Sequence, residues 1–593
     1  MENIRPILHA LFVLSLFPFS QARNFCPGRP PSGSCSPANF EDVLRPYNAT
    51  IERINPVLNN TCYGEDVADN VFYGLCPAVS SSLADIAQSQ CNYALVLPPS
   101  CAMTVKMGSY RFGLIMPESG VWGNSFMATG GFSFAGGINW REMWAGAYYY
   151  KMAVMSTDQG HKGGMSDQRW AKGNPGARED WGYRALSGSV PVAKAIIQHF
   201  YGKPANHSYF AGCSTSGRQG LRQIEVDPES FDGLLIGAPA WDQEHLMPWV
   251  AKLADIDPPD SPGSVHKTPT QYAFLVDGFR NECDANDNLA DGVIMDPAAC
   301  NITQIAANLS CAINTSPDCL TQAQVSTLVS LHQNLTITVD GSTKDVFPGP
   351  EIGAEANLLG VLVTPQGGEY APAAKPYGFD WQWPINFLSN YEVGYNYTDQ
   401  IVLDAERERP GNASPNASAT NWTEFNSRGG KLMMYHGLAD GIVPTKSSLQ
   451  YYQEVGNATP QRDDFMLYYQ VPGMGHCFWS DSYPVSVNIS GVPAQLQQYR
   501  APWFFSGATQ GSAAGNGRTV DLVGRPATDM FAALVDWVEN SSHRPHDITA
   551  TTWDASTVNQ GYFAQRPICP YPQRAQYIGG GSDFNVTTSW KCM

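Results

Sequence analysis

The stretch Tyr209–Gly220 reads YFAGCSTSGRQG. A short apolar run ends at Gly212-Cys213-Ser214, and GLRQIEVDPESF, from Gly220 onward, has the pattern of a helix. Strand, tight glycine-bearing turn and helix around a serine are the context of a nucleophile elbow. Gly212 stands two residues before Ser214, as that turn requires. Ser216 occupies the place where the G-x-S-x-G frame has its second glycine, with Gly217 just after it. A serine is small enough to fill that place. Ser216 as the nucleophile would lack a glycine two residues before it, so the reading falls on Ser214.

Working outward, SVPVAKAIIQHFYG (Ser189–Gly202) has helical spacing and a glycine stop, and HSYFAG after it reads as a buried strand. Far downstream, KLMMYHGLADGIVP (Lys431–Pro444) is an apolar strand running into a loop that carries Asp440. TKSSLQYYQEVG predicts a helix with Thr445 as N-cap and Gly456 at its end. FMLYYQVPGMGHC is a strand rich in β-formers, and its loop ends in His476. Strands alternating with helices indicate an α/β parallel sheet. The chain order Ser214, Asp440, His476, with each residue after a strand, is that of the α/β-hydrolase fold. In that arrangement His476 takes the serine proton and Asp440 orients the imidazole.

Over 200 residues separate Ser214 from Asp440, where a couple of strand–helix units need roughly 60–80. The interval therefore holds an insertion, read as a lid domain over residues 242–400. Residues 23–241 and 401–593 form the catalytic domain. Residues 1–22 read as a secretory signal: Arg5, an apolar Ile7–Phe19 too short to span a bilayer, and a small-x-small site at Ser20-Gln21-Ala22.

The 14 cysteines lack CxxC pairs, which favours disulfides over zinc. About fifteen N-x-S/T sequons, among them Asn48, Asn206, Asn308, Asn396, Asn421 and Asn585, agree with export. The formal net charge of -18 without a basic cluster disfavours nucleic acid and anionic membrane as partners. Cys213 precedes the serine and Cys477 follows the histidine. If Ser214 and His476 are in contact, these neighbours lie within disulfide reach, so the cysteine is expected to clamp the elbow to the histidine loop. Cys283, Cys300, Cys311, Cys319, Cys569 and Cys592 are also expected in disulfides. The pairing of Cys26, Cys35, Cys62, Cys76, Cys91 and Cys101 stays open.

GCSTSGRQG, YHGLADGIVP and GMGHC together resemble the tannase/feruloyl esterase family of fungi and bacteria. The similarity extends to GGFSFAGGINW (Gly130–Trp140) and DWGYRALSGSV (Asp180–Val190). The family usually reads GCSTGGRQ at the elbow, so Ser216 is a departure. The resemblance implies a secreted serine esterase acting on phenolic-acid esters. Feruloyl or coumaroyl esters of plant cell-wall polysaccharide are the favoured substrates, and the galloyl esters taken by tannases are the alternative. A serine peptidase and a non-catalytic binding protein on the same scaffold are the rivals from other classes.

For the oxyanion hole, the N–H of Thr215 follows the nucleophile, and FMATGGFSFAGG supplies a glycine loop in which Gly131, with Gly130 beside it, is the expected second donor. In CDANDNLADGVIMDPAAC (Cys283–Cys300), three aspartates fall within eight residues. The family resemblance implies a calcium site there, with Asp284, Asp287 and Asp291 and the carbonyls of Leu289 and Val293 as ligands. The other reading of this segment is a solvated acidic turn closed by a disulfide. YGFDWQWPINF (Tyr377–Phe387) could stack on an aromatic acid or simply pack.

Overall fold

The computed structural model describes residues 34–57, 97–164, 167–258, 261–265, 269–355, 379–409, 421–477, 524–552, 564–579 and 583–593. The expected signal at 1–22 and Cys26, Cys62, Cys76 and Cys91 lie outside them.

Seven strands precede the insertion: β1 Thr50–Val57, β2 Ser100–Met107, β3 Tyr110–Pro117, β4 Ser125–Thr129, β5 Ala153–Thr157, β6 His207–Cys213 and β7 Gly233–Gly237. A hairpin of β8 Leu335–Val339 and β9 Ser342–Phe347 lies within the insertion, and β10 Lys431–Gly437 and β11 Met466–Val471 follow it. Nine of these form one sheet in the order β1-β2-β3-β5-β4-β6-β7-β10-β11. From β5 to β11 every neighbouring pair is parallel. The edge from β1 through β3 to β5 is antiparallel. With helices on both sides, this is an α/β-hydrolase sheet.

The central strands are apolar on both faces because both faces are covered. In β10, Leu432 and Met434 face one core, which includes Val192 and Ile196 of the Ala185–Tyr201 helix and Leu221 of the Thr215–Val226 helix. Met433 and Tyr435 face the other, with Met143 of the Trp140–Tyr149 helix and Leu534 of the Met530–Glu539 helix. Alternate residues of one strand thus feed two cores. The Ala185–Tyr201 helix begins earlier than the sequence pattern predicts, and Gly202 ends it at φ 72°. Thr445 is the first residue of the Thr445–Ala458 helix rather than its N-cap; its hydroxyl instead donates back to the Gly437 carbonyl. Gly456 lies inside that helix rather than closing it.

Residues of the expected insertion share one core with residues outside it, among them Phe134, Trp181 and Val443. Leu246, Trp249 and Leu253 of the Gln243–Ile256 helix meet Leu275 and Phe279 of the Pro269–Cys283 helix. Trp383 and Phe387 of the Phe379–Phe387 helix join them. Ile401, Val402 and Ala405 belong to the same core, so the helix Gln400–Glu408, which begins at the expected boundary, packs with the insertion.

Candidate active site

β6 delivers the serine. Its last residue is Cys213, and Ser214 then turns the chain at φ 62°, ψ −124° into the helix that starts at Thr215. A non-glycine residue held there stores strain of about 1–3 kcal/mol, and surrounding bonds must impose it. They do. The Ser214 N–H donates to the Gly237 carbonyl at the end of β7 (3.0 Å), while its own carbonyl accepts from Arg218 (3.0 Å) and Ala240 (3.1 Å). The turn is therefore pinned on both sides of Ser214. Thr215 opens a helix, so its N–H belongs to the first turn, which has no partner within the helix.

The adjacent strands supply the other two residues. Asp440 follows β10, is fully buried, and accepts from the N–H groups of Ile442 and Val443, both at 2.9 Å. His476 follows β11, and its Nδ1 lies 2.7 Å from Asp440 Oδ2. Burial alone would raise the Asp440 carboxyl. The charge of His476 and hydrogen bonds from His436 and His476 outweigh it and hold Asp440 below the usual carboxylate range. Asp440 thus remains a carboxylate and only accepts, so the facing Nδ1 of His476 carries a proton. Cys213 and Cys477 are joined, with Cα atoms 5.8 Å apart. The structure brings Asp440 and His476 into contact and binds the residue before Ser214 to the residue after His476. Cys477 also sits at a positive φ, 65°.

The glycine loop follows β4 and lies against the elbow helix. The Gly130 N–H donates to Ser216 Oγ at 2.9 Å. The Gly131 N–H donates to Gln219 Oε1 at 3.3 Å, a long bond, so the expected second oxyanion donor is engaged by a side chain rather than left open. Gln219 Nε2 continues the chain to Gln159 Oε1 (2.9 Å) and the Trp181 carbonyl (3.2 Å).

A family model described as tannase and feruloyl esterase matches residues 101–593. The chain belongs to the tannase and feruloyl esterase family. A probable feruloyl esterase B-1 of Aspergillus oryzae is 30% identical over 484 residues, covering 79% of this chain and 78% of that protein. An esterase from Aspergillus oryzae superposes with a TM-score of 0.73 at 22% identity, over 93% of this chain and 98% of that one. Feruloyl esterase B from the same organism superposes at 0.71 and 24%, over 94% and 100%; both structures share the fold. Membership makes this chain a carboxylic ester hydrolase.

Among the described residues, the disulfides beyond the clamp are Cys35–Cys101, Cys283–Cys300, Cys311–Cys319 and Cys569–Cys592. The three aspartates expected as calcium ligands accept hydrogen bonds from the backbone of their own turn. Asp284 accepts from the N–H groups of Gly292 (2.8 Å) and Val293 (3.1 Å), and Asp287 from Leu289 (3.0 Å). Asp291 accepts from Val293 (3.0 Å) and is paired with Arg566, both side chains being buried. Among the described residues no group of three or more such side chains stands ready to hold a metal ion. The turn has the oxygen chemistry of a calcium site but is closed by backbone donors and an arginine.

In the described part of the aromatic segment, Trp383 and Phe387 pack. Phe387 meets Phe134, Trp170 and Trp181 at 5.6–5.7 Å between ring centres, and Trp383 at 5.6 Å. Sequence reading missed Arg218 and His436, and at Ser216 it missed a bond. Ser216 does more than fill a glycine position, because it accepts from the loop. Arg218 is wholly buried on the elbow helix, donating to the Gly182 and Trp181 carbonyls; burial, then the charge of Arg222, push it down to about 9. His436 lies in β10 and reaches Asp440. The signal for His436 was a polar residue directly after the apolar run Leu432–Tyr435, which must find a partner when buried.

Proposed function

We propose that this chain is a secreted serine esterase of phenolic-acid esters, working through Ser214, His476 and Asp440. The observation that carries the reading is the 2.7 Å contact of His476 with a buried Asp440 on the loop bonded through Cys477 to Cys213, beside the strained Ser214. Ser214 Oγ attacks the ester carbonyl as His476 Nε2 accepts its proton. The tetrahedral oxyanion takes a hydrogen bond from the Thr215 N–H. Gly131 is the second donor, exchanging its long bond to the neutral Gln219 amide for one to the charged oxygen. Collapse breaks the C–O bond to the alcohol, which leaves with the proton from His476. Water, deprotonated by His476, then hydrolyses the acyl-serine and restores the enzyme.

Feruloyl or coumaroyl esters of plant cell-wall polysaccharide are the favoured substrates. The support is the family together with the A. oryzae relative's name. Export to an oxidising compartment is supported by the disulfides. Calcium on the Asp284–Val293 turn is a separate proposal, supported by three carboxylates against one buried arginine; no step of the reaction runs through it. Hydrolysis of methyl ferulate, methyl sinapate and methyl gallate side by side tests the substrate. Preference for the gallate makes the protein a tannase, and failure of all three together with no phosphonate labelling of serine ends the esterase reading.

A further inference from the structure

We propose that His436 is a positioning residue for Asp440, one that completes the carboxylate's hydrogen bonding and so fixes the base; this rests on the triad reading above. His436 is in β10, four residues before Asp440, with no solvent exposure. Its Nε2 lies 2.9 Å from Asp440 Oδ2 and 2.8 Å from the Val443 carbonyl, and its Nδ1 lies 2.7 Å from Ser448 Oγ. A carbonyl and a carboxylate only accept, so Nε2 carries a proton whatever the ring's charge. The Ser448 hydroxyl faces Nδ1 in either role and fixes the ring plane from the Thr445–Ala458 helix. The same ring therefore ties the carboxylate, the loop carbonyl of Val443 and the following helix together.

The count of donors gives His436 its function. A carboxylate offers about four lone-pair directions. Asp440 Oδ1 uses two on Ile442 and Val443, and Oδ2 uses two on His476 and His436. With all four taken, rotating the carboxylate breaks every bond at once. The two histidines share Oδ2, so His436 fixes the side from which His476 must approach. Without His436, Oδ2 has an empty direction in a dry site, and Asp440 can turn away from His476. The ring that removes the serine proton then loses its orientation, while the surface that binds substrate is untouched.

The test measures hydrolysis of p-nitrophenyl acetate by the full-length protein, with melting recorded for each variant. His436→Leu should lower kcat about tenfold or more with KM within about twofold. In His436→Gln the amide N–H reaches the place of Nε2, and most of the loss should return. In His436→Asn the shorter amide faces Ser448 but not Asp440, and kcat should stay low. The Gln–Asn comparison still decides if the leucine variant does not fold. In the cycle with Asp440→Asn, the double variant should be within about threefold of Asp440→Asn alone, because both losses run through one carboxylate. Losses that multiply, or glutamine as slow as asparagine, overturn the role of His436 while leaving the triad standing. An Asp440→Asn variant with unchanged kcat overturns the triad reading itself, and the inference falls with it.

Discussion

Replacing Ser216 by alanine separates the nucleophile from its neighbour. Ser216 is 1% exposed, and its hydroxyl is the acceptor for the Gly130 N–H at 2.9 Å. Alanine keeps the Cβ on which Gly130 and Gly212 pack, so the volume lost is one oxygen. What changes is the bonding: a buried N–H is left with no acceptor, at a cost of about 1–3 kcal/mol. Melting should fall by roughly 2–6 °C, taking about 2 °C per kcal/mol for a large domain. Gly131 is the next residue, and its bond to Gln219 is already long. A loosened loop weakens one oxyanion donor without deleting it. Deletion of such a donor costs about 10²–10³ in kcat, so the loss here should stay below about tenfold. Scanning fluorimetry, steady-state ester hydrolysis and phosphonate labelling mapped by peptide mass read the three effects. Labelling should remain on Ser214. A variant that melts with the wild type would show that Ser216 does not hold the loop. Labelling lost in Ser216→Ala but kept in Ser214→Ala would move the nucleophile and refute the elbow reading.

Ser214→Ala should remove turnover by about 10⁴-fold or more with melting unchanged, as steady-state assay and calorimetry will show. The pair Cys213→Ala and Cys477→Ala opens a bridge that spans 264 residues; stability should fall by up to about 4–5 kcal/mol, and kcat by up to about a hundredfold at temperatures where the protein is folded. Full activity in that double variant would separate the clamp from catalysis. Metal analysis should find calcium, and chelator should lower the melting temperature while the folded fraction keeps its kcat; no calcium and unmoved melting would remove the site. His245 lies between Asp242 (2.7 Å) and Glu406 (3.0 Å). Burial disfavours its charge, but the two carboxylates outweigh this and push it up to about 9. Because the folded value is the higher one, this stabilisation is full below about pH 6.5 and is lost as pH rises through 9. Melting followed across that window should show a slope that His245→Gln removes.

What the sequence disclosed was local or sequential. The strand–turn–helix at Ser214 shows in twelve residues because the turn itself demands small side chains at set places. Asp440 and His476 show because a parallel sheet puts its loops at one end, so residues after successive strands meet. The clamp then follows from two cysteines adjacent to residues already paired. The antiparallel pairing of β2 and β3 was hidden, since both are buried on both faces along most of their length, as the parallel strands are. The bonds that tune the site join residues far apart in the chain: Gly130 to Ser216 across 86 residues, Gly131 to Gln219 across 88 and Asp291 to Arg566 across 275. Neither partner of such a bond has a composition that marks it.

His436 shows where the boundary between the two kinds of information lies. It is only four residues from Asp440, within the motif YHGLAD, yet its role depends on where the loop after β10 returns. Asp440 must fold back so that its Oδ2 reaches a ring on the strand it has just left, and Val443 must turn its carbonyl to the same nitrogen. The 0% exposure of both side chains makes that return costly unless every polar atom is matched. The matching also explains the placement of Ser448, a polar residue on the buried face of the following helix. In the sequence His436 and Asp440 stand beside apolar residues, whereas Ser448 lies in the polar stretch TKSSLQ, and all three are buried. Burial requires that they have partners, and the loop geometry makes them one another's. On the proposed mechanism, a carboxylate held in this way needs no movement when His476 gains its proton, so the field that stabilises the charged ring is in place before the reaction begins.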